Sequence, residues 1–269
     1  MQYEAYWGME MNPFQKNIDE KYSYQSNDFK QIIGRLEHLK KIKGIGLFTG
    51  SSGTGKSFGI RCFSSKLNQN LFKVVYIALS TVTVLEFYKS LALGLGLEPL
   101  CKKVDLYKSI QDRIITLVSN KKTTPLIIID EAQYLKTEVL NDIKLLLNFK
   151  MDSVNNVIFV LSGQPVLNNI LSKNIHDALK QRILINYNAD GLSLDETKDY
   201  INSRLKLAGV HDPVFNDNTY EAIYSCANTS VRRLNHLVEK CLLIGAKESI
   251  KEIDTNIVML AQNEIELFS

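Results

Sequence analysis

Eight consecutive residues limit what this chain can fold into more than any other stretch. Gly50-Ser51-Ser52-Gly53-Thr54-Gly55-Lys56-Ser57 match G-x-x-x-x-G-K-[ST] in full. The apolar run Ile45-Gly46-Leu47-Phe48-Thr49 precedes them and reads as a buried strand, and 58–67 follows as a helix. A phosphate needs this order for a physical reason. Glycines let the loop wrap so that its backbone N–H groups converge on anionic oxygens, and the helix N-terminus adds partial positive charge. In such a loop Lys56 reaches the β- and γ-phosphates and Ser57 holds Mg²⁺ by its hydroxyl. Gly50, Gly53, Thr54, Gly55, Lys56, Ser57 and Phe58 are the candidate nucleotide-binding residues of this stretch.

Strand and helix patterns alternate around it. Phe29, Ile32, Ile33, Leu36 and Leu39 have helical spacing over 29–42, ending near Gly44. A second strand is read at 73–79, and a helix at 84–93 is broken by Gly94-Leu95-Gly96-Leu97-Glu98-Pro99. Leu106, Ile110, Ile114, Leu117 and Val118 mark another amphipathic helix. Pro125 precedes Leu126-Ile127-Ile128-Ile129, a run typical of a parallel strand buried on both faces. A helix at 140–149, a fourth strand at 157–161 and a fifth at 183–187 follow. The expected fold class is α/β, a five-stranded parallel sheet flanked by helices with right-handed crossovers.

The pattern changes near residue 190. Ser193-Leu194-Asp195-Glu196 is a capping box opening a helix that Gly209 ends. Three further helices are read at 218–226, 231–246 and 255–266. The expected organisation is an N-terminal segment, 1–35, packing on the core; the α/β domain, 36–191; and a small helical domain, 192–269. The first segment has no long period but carries Trp7, Phe14, Tyr22 and Tyr24, which suit packing or covering a nucleotide base.

Of the 269 residues 45% are hydrophobic and 23% charged, the balance of a globular protein. No apolar run approaches a membrane span and the N-terminus lacks a signal pattern, so a cytoplasmic protein without membrane contact is expected. Cys62, Cys101, Cys226 and Cys241 form no C-x-x-C pair and read as reduced structural thiols. His38, His176, His211 and His236 are scattered and read as surface or capping residues. A net charge of +3 permits nucleic-acid binding without arguing for it.

Beyond the carboxyl ends of the strands lies the ligand side of such a sheet. Asp130 and Glu131 end the third strand and should sit beside the phosphate loop. Asp130 suits a carboxylate serving Mg²⁺, and Glu131 suits a base that orients water for attack on the γ-phosphate. Ser162-Gly163-Gln164 ends the fourth strand. The neutral amide of Gln164 there holds the attacking water or the γ-phosphate, or else Ser162 or Gln164 caps the next helix. Arg182 lies just before the fifth strand, as a projecting rim residue or a surface ion pair; Arg232 and Arg233 open a helix, and one of them can reach phosphates. Lys102-Lys103 and Lys121-Lys122 are basic pairs that several subunits around one axis would turn into a channel for a nucleic-acid backbone. No G-x-S-x-G, H-E-x-x-H or Cys/His zinc spacing competes.

The ordered set Gly50 to Ser57, Asp130-Glu131-Ala132-Gln133, Leu161-Ser162-Gly163-Gln164-Pro165, Gln181-Arg182 and Arg232-Arg233-Leu234-Asn235 resembles AAA+ ATPases. More narrowly it resembles the ExeA-like group, which includes transposon-encoded regulators related to TniB and TnsC. Tyr6-Trp7-Gly8-Met9 with Asn12-Pro13-Phe14 is similar to that group's opening. Asp195-Glu196, Tyr200-Ile201, Arg204-Leu205 and Ala208-Gly209 are similar to its lid. The resemblance implies ATP and Mg²⁺ at a subunit boundary, hydrolysis to ADP and phosphate, and a homo-oligomeric ring or filament. It implies Asp130 and Glu131 as the Walker B pair, Gln164 or Ser162 as sensor 1, Arg182 as an arginine finger and Arg232 as sensor 2. Thr229, Ser230 and Val231 replace the usual Gly and Pro before sensor 2, which leaves Arg232 and Arg233 in competition. The function implied is a regulator that binds double-stranded DNA with ATP, assembles on it and recruits or activates a transposase. The alternative is a nucleotide-controlled switch of a protein complex, in secretion or elsewhere, without DNA.

Overall fold

The computed structural model describes residues 2–16, 18–149 and 153–266. Two compact units emerge, one drawn from Gln31–Gly50 and Lys56–Ala189, the other from Met1–Lys30, Ser51–Gly55 and Asp190–Ser269.

The first unit is the α/β one. After α1 (Gln2–Tyr6), which belongs to the other unit, and α2 (Asn27–Ile42), chain order runs β1 (Gly44–Gly50), α3 (Lys56–Ser65), β2 (Phe72–Ile77), α4 (Val84–Gly94), α5 (Lys103–Asn120) and β3 (Thr124–Ile129). Then come α6 (Thr137–Leu146), β4 (Ile158–Gly163), α7 (Val166–Leu171), α8 (Asp177–Lys180) and β5 (Ile183–Ala189). The five strands stand in the order β2-β3-β4-β1-β5, and every pairing is parallel. The register is level, with Leu47 beside Leu161 and Ile129 beside both Ile77 and Leu161. All five carboxyl ends therefore lie along one edge.

The apolar run of β3 serves two faces, as its sequence demands. Ile127 and Ile129 pack with Phe87, Leu91, Ile110, Leu140 and Ile143 of α4, α5 and α6. Leu126 and Ile128 pack with Leu36, Leu39 and Phe63 of α2 and α3. Pro125 lies inside the strand rather than before it. Thr124 donates its N–H toward Leu71, so the N–H that proline lacks falls on the β4 side. Pairing there begins only at Leu126, and the ladder loses nothing.

The second unit is helical: α9 (Leu194–Leu207), α10 (Asp217–Ala227), α11 (Val231–Lys247) and α12 (Thr255–Glu266). The capping box is present, with Ser193 Oγ accepting from Glu196 N and Glu196 Oε2 accepting from Ser193 N at 3.1 Å. Glu196 Oε1 also accepts from Asn27 N at 2.6 Å. Gly209, at φ +93°, takes the left-handed position that ends α9.

The chain up to Lys30 groups with the helical unit. Met9 and Phe14 are buried among Ile201, Leu205, Leu237 and Val238. Trp7 Nε1 donates to Leu242 O at 2.8 Å, and Asn12 reaches Glu239. The cause is hydrophobic, since four short amphipathic helices leave an apolar face that this aromatic segment covers. Phe14→Ala should therefore destabilise the helical unit by about 3–5 kcal/mol in urea unfolding. A shift no larger than that of an exposed substitution would show that the segment is not part of that core.

Candidate functional site

β1 runs into the phosphate loop, and the loop runs into α3. Gly53 and Gly55 have φ of +84° and +99°, conformations that side-chain-bearing residues rarely adopt. Gly53 has a second reason. A Cβ on it would lie 2.2 Å from Ser230 Oγ and 3.1 Å from Arg232 Cβ. The loop thus lies against the first turn of α11, where Ser230 is the N-cap. Thr54 Oγ1 donates to Ser51 O at 3.0 Å and closes the loop on itself.

Lys56 is buried, and its ammonium donates to Gly50 O at 2.7 Å, across the loop it follows. Buried lysines are rare because desolvating an ammonium is costly. An ammonium held at the start of α3 suits a phosphate. Ser57 Oγ donates to Asp130 Oδ2 at 2.9 Å, which joins the start of α3 to the end of β3.

Asp130 is held from several sides. Tyr76, the penultimate residue of β2, donates its hydroxyl to the same Oδ2 at 3.2 Å. Partial burial first, and the Asp130 charge second, push the Tyr76 phenol above its ordinary pKa, so it remains a donor at neutral pH. Ser80 Oγ donates to the Asp130 carbonyl. Glu131 N donates to Asp130 Oδ1 at 3.0 Å, with Glu131 in the left-handed region at φ 49°, ψ 40°. Among the described residues no cluster of three or more His, Cys, Asp or Glu side chains could hold a metal. A hydroxyl and one carboxylate fit Mg²⁺, which binds through one or two carboxylates and the phosphates it accompanies.

At the end of β4, Ser162 is fully buried and its Oγ has no hydrogen-bond partner among the described residues. It is paired with Phe48 of β1 and shares the sheet face of Asp130, the face that α3 covers. Gln164 is half-buried, and its N–H donates to Gln133 Oε1 at 3.1 Å. The turn does lead into a helix, α7, whose Asn168 donates to Thr49 Oγ1 of β1 at 2.9 Å. Neither Ser162 nor Gln164 caps it; the N-cap is Pro165.

Arg182 precedes β5 at the opposite edge of the sheet. β5 then runs seven residues to Ala189, which pairs with Gly50. At about 3.3 Å per residue that is roughly 20 Å from the phosphate loop of its own chain. Its guanidinium donates to Lys144 O at 3.1 Å. Arg232 is exposed beside Gly53, whereas Arg233 lies 4.0 Å from Glu266.

The four lysines do not form one patch. Lys102 is the N-cap and Lys121 the C-cap of α5, at opposite ends of 18 helical residues. Lys103 Nζ is bonded to the buried Asp142 carboxylate at 2.7–2.8 Å, which neutralises it. Among the described residues, Lys103 therefore differs from the other three in having its charge answered within the chain. Of the surface or capping alternatives for His176, the structure gives the second: it is the N-cap residue of α8, without a side-chain capping bond. It is buried before α8, and that burial, with Lys173, holds its imidazole below the ordinary pKa. Sequence patterns gave no role to Tyr76, Ser80 or Gln133. Gln133 alone lay within a quoted motif, and the partners of the other two are visible only once β2 stands beside β3.

Comparison with known proteins agrees with this geometry. Residues 39–171 match the family described as AAA domain. The chain is 26% identical over 268 residues to General secretion pathway protein A of Aeromonas hydrophila. That match covers 98% of this chain and 48% of the relative, so the chain spans about half the relative's length. Among solved structures, Cdc6p from Pyrobaculum aerophilum superimposes with a TM-score of 0.69 at 14% identity, over 94% of this chain and 70% of that one. The Aeropyrum pernix ORC1 protein in complex with DNA gives 0.66 at 15%, over 94% and 69%. The Thermotoga maritima RuvB Holliday junction branch migration motor gives 0.56 at 20%, over 93% and 72%. No described helix is long and apolar enough to cross a membrane. An AAA domain, a complete phosphate loop and a parallel sheet that brings Ser57 to Asp130 make this chain an AAA+ ATPase.

Proposed function

We propose that this chain is an ATP-dependent DNA-binding regulator of transposition, which assembles on duplex DNA and recruits or activates a transposase. The observation that carries its ATP chemistry is the Ser57–Asp130 hydrogen bond, which sets a phosphate loop beside a strand-end carboxylate pair. Lys56 and the loop N–H groups bind the triphosphate, and Ser57 with Asp130 holds Mg²⁺, which would supply charge neutralisation at the phosphates. Glu131 orients the attacking water and Gln164 or Ser162 contacts it or the γ-phosphate; the buried, unpartnered Ser162 hydroxyl favours Ser162. Arg232, beside Gly53, is the sensor 2 candidate over Arg233, which has Glu266 to answer it.

Support for DNA comes from the sequence resemblance to transposition regulators and from relatives in fold whose structures contain DNA. Lys102, Lys121 and Lys122 remain candidate phosphate contacts, with Lys103 the weakest. The secretion protein aligned along 98% of this chain favours a second reading, a nucleotide-controlled switch acting on a protein complex. One experiment separates them. Glu131→Gln should bind MgATP, lose hydrolysis by about a hundredfold or more, and so hold the ATP state. In that state it should bind duplex DNA, with affinity falling steeply as salt rises. No DNA binding with or without ATP would leave the protein-switch reading standing.

The position of Arg182 gives an assembly prediction. Roughly 20 Å of strand separates it from its own loop, so its role as a finger is toward a neighbouring copy, after release from Lys144 O. Arg182→Ala should bind ATP and hydrolyse it about a thousandfold more slowly. Mixing it with Lys56→Ala should restore turnover, because one interface then joins an intact loop to an intact arginine. Failure of rescue in confirmed mixed oligomers would return Arg182 to a structural role.

A further inference from the structure

We infer that Gln133 is a positioning residue that fastens the Glu131 carboxylate to the turn after β4. The inference rests on the role proposed above for Glu131. Gln133 Nε2 donates to Glu131 Oε2 at 2.6 Å, and its Oε1 accepts from Gln164 N at 3.1 Å. A primary amide offers a donor at one end and an acceptor at the other, and here both ends are used. Gln133 is only 9% exposed, so these bonds form where water competes little. Glu131 needs such support. A non-glycine residue at φ 49° is costly and persists where its surroundings hold it, here Asp130 Oδ1 at its N–H and Gln133 at its carboxylate.

The β4 turn is shaped around this side chain. A Cβ on Gly163 would lie 2.6 Å from Gln133 Oε1 and 3.0 Å from Leu167 Cδ2. Glycine at 163 is what lets the glutamine cross to the Gln164 N–H. One buried amide thus bridges the ends of β3 and β4. A shift of the Gly163-Gln164 turn is passed to the carboxylate of Glu131 without any movement of the strands. Glutamate at 133 cannot donate to Glu131, and alanine makes neither bond.

The test is steady-state MgATP hydrolysis with ATP affinity measured separately, on wild type, Gln133→Ala, Gln133→Glu, Gly163→Ala and the Gln133→Ala/Gly163→Ala double variant, alongside Glu131→Gln. Gln133→Ala and Gln133→Glu should lower kcat about tenfold to a hundredfold with ATP affinity unchanged. Gly163→Ala should lower kcat as well, but add little in the Gln133→Ala background, because its damage acts through the displaced amide. Wild-type or raised kcat in Gln133→Ala, or affinity falling in step with kcat, overturns the inference while Glu131→Gln remains inactive. Wild-type turnover in Glu131→Gln instead overturns the role of Glu131 itself.

Discussion

The hydrogen bond from Ser57 Oγ to Asp130 Oδ2 joins residues 73 positions apart, and the site depends on the geometry that permits it. It forms only if β1 and β3 are parallel, level at their carboxyl ends and separated by one strand. β4 is that strand, and it brings Ser162 to the same face and Gln164 to the same edge. The sheet core enforces the level register. A slip of one residue would turn Ile128 and Val160 from the α2–α3 face to the other and unpack both layers.

Much of this was legible in the sequence. Five apolar runs gave five strands with ends within two residues or so; β1, β3 and β4, buried along nearly their whole length, leave little choice of residue, whereas β2 and β5 keep exposed positions. The phosphate loop was legible because only glycine tolerates the backbone of Gly53 and Gly55. The N-terminal segment was not. Trp7 finds its carbonyl 235 residues away, and nothing periodic in its own neighbourhood points there. The short helix α8 was missed because a single turn carries too little pattern. Gln133 stood in plain view in a motif, yet its partner is a backbone N–H 31 positions on, at the end of a different strand.

The same topology divides the proposed chemistry between copies. Everything that meets Asp130 lies at the carboxyl edge of the sheet, whereas Arg182 stands at the amino end of β5. The edge that binds and the residue proposed to complete it thus lie on opposite sides of one domain. Under the proposal for Arg182, full activity requires a neighbour, and assembly becomes a natural point of control.

The most direct measurement is electron paramagnetic resonance of Mn²⁺, standing in for Mg²⁺, titrated with a non-hydrolysable ATP analogue. One bound Mn²⁺ per chain is expected only when nucleotide is present, with ³¹P couplings from its phosphates, and loss of that signal is expected in Ser57→Ala. Mn²⁺ binding that ignores the nucleotide, or survives Ser57→Ala unchanged, would contradict a nucleotide–metal site built on Ser57 and Asp130.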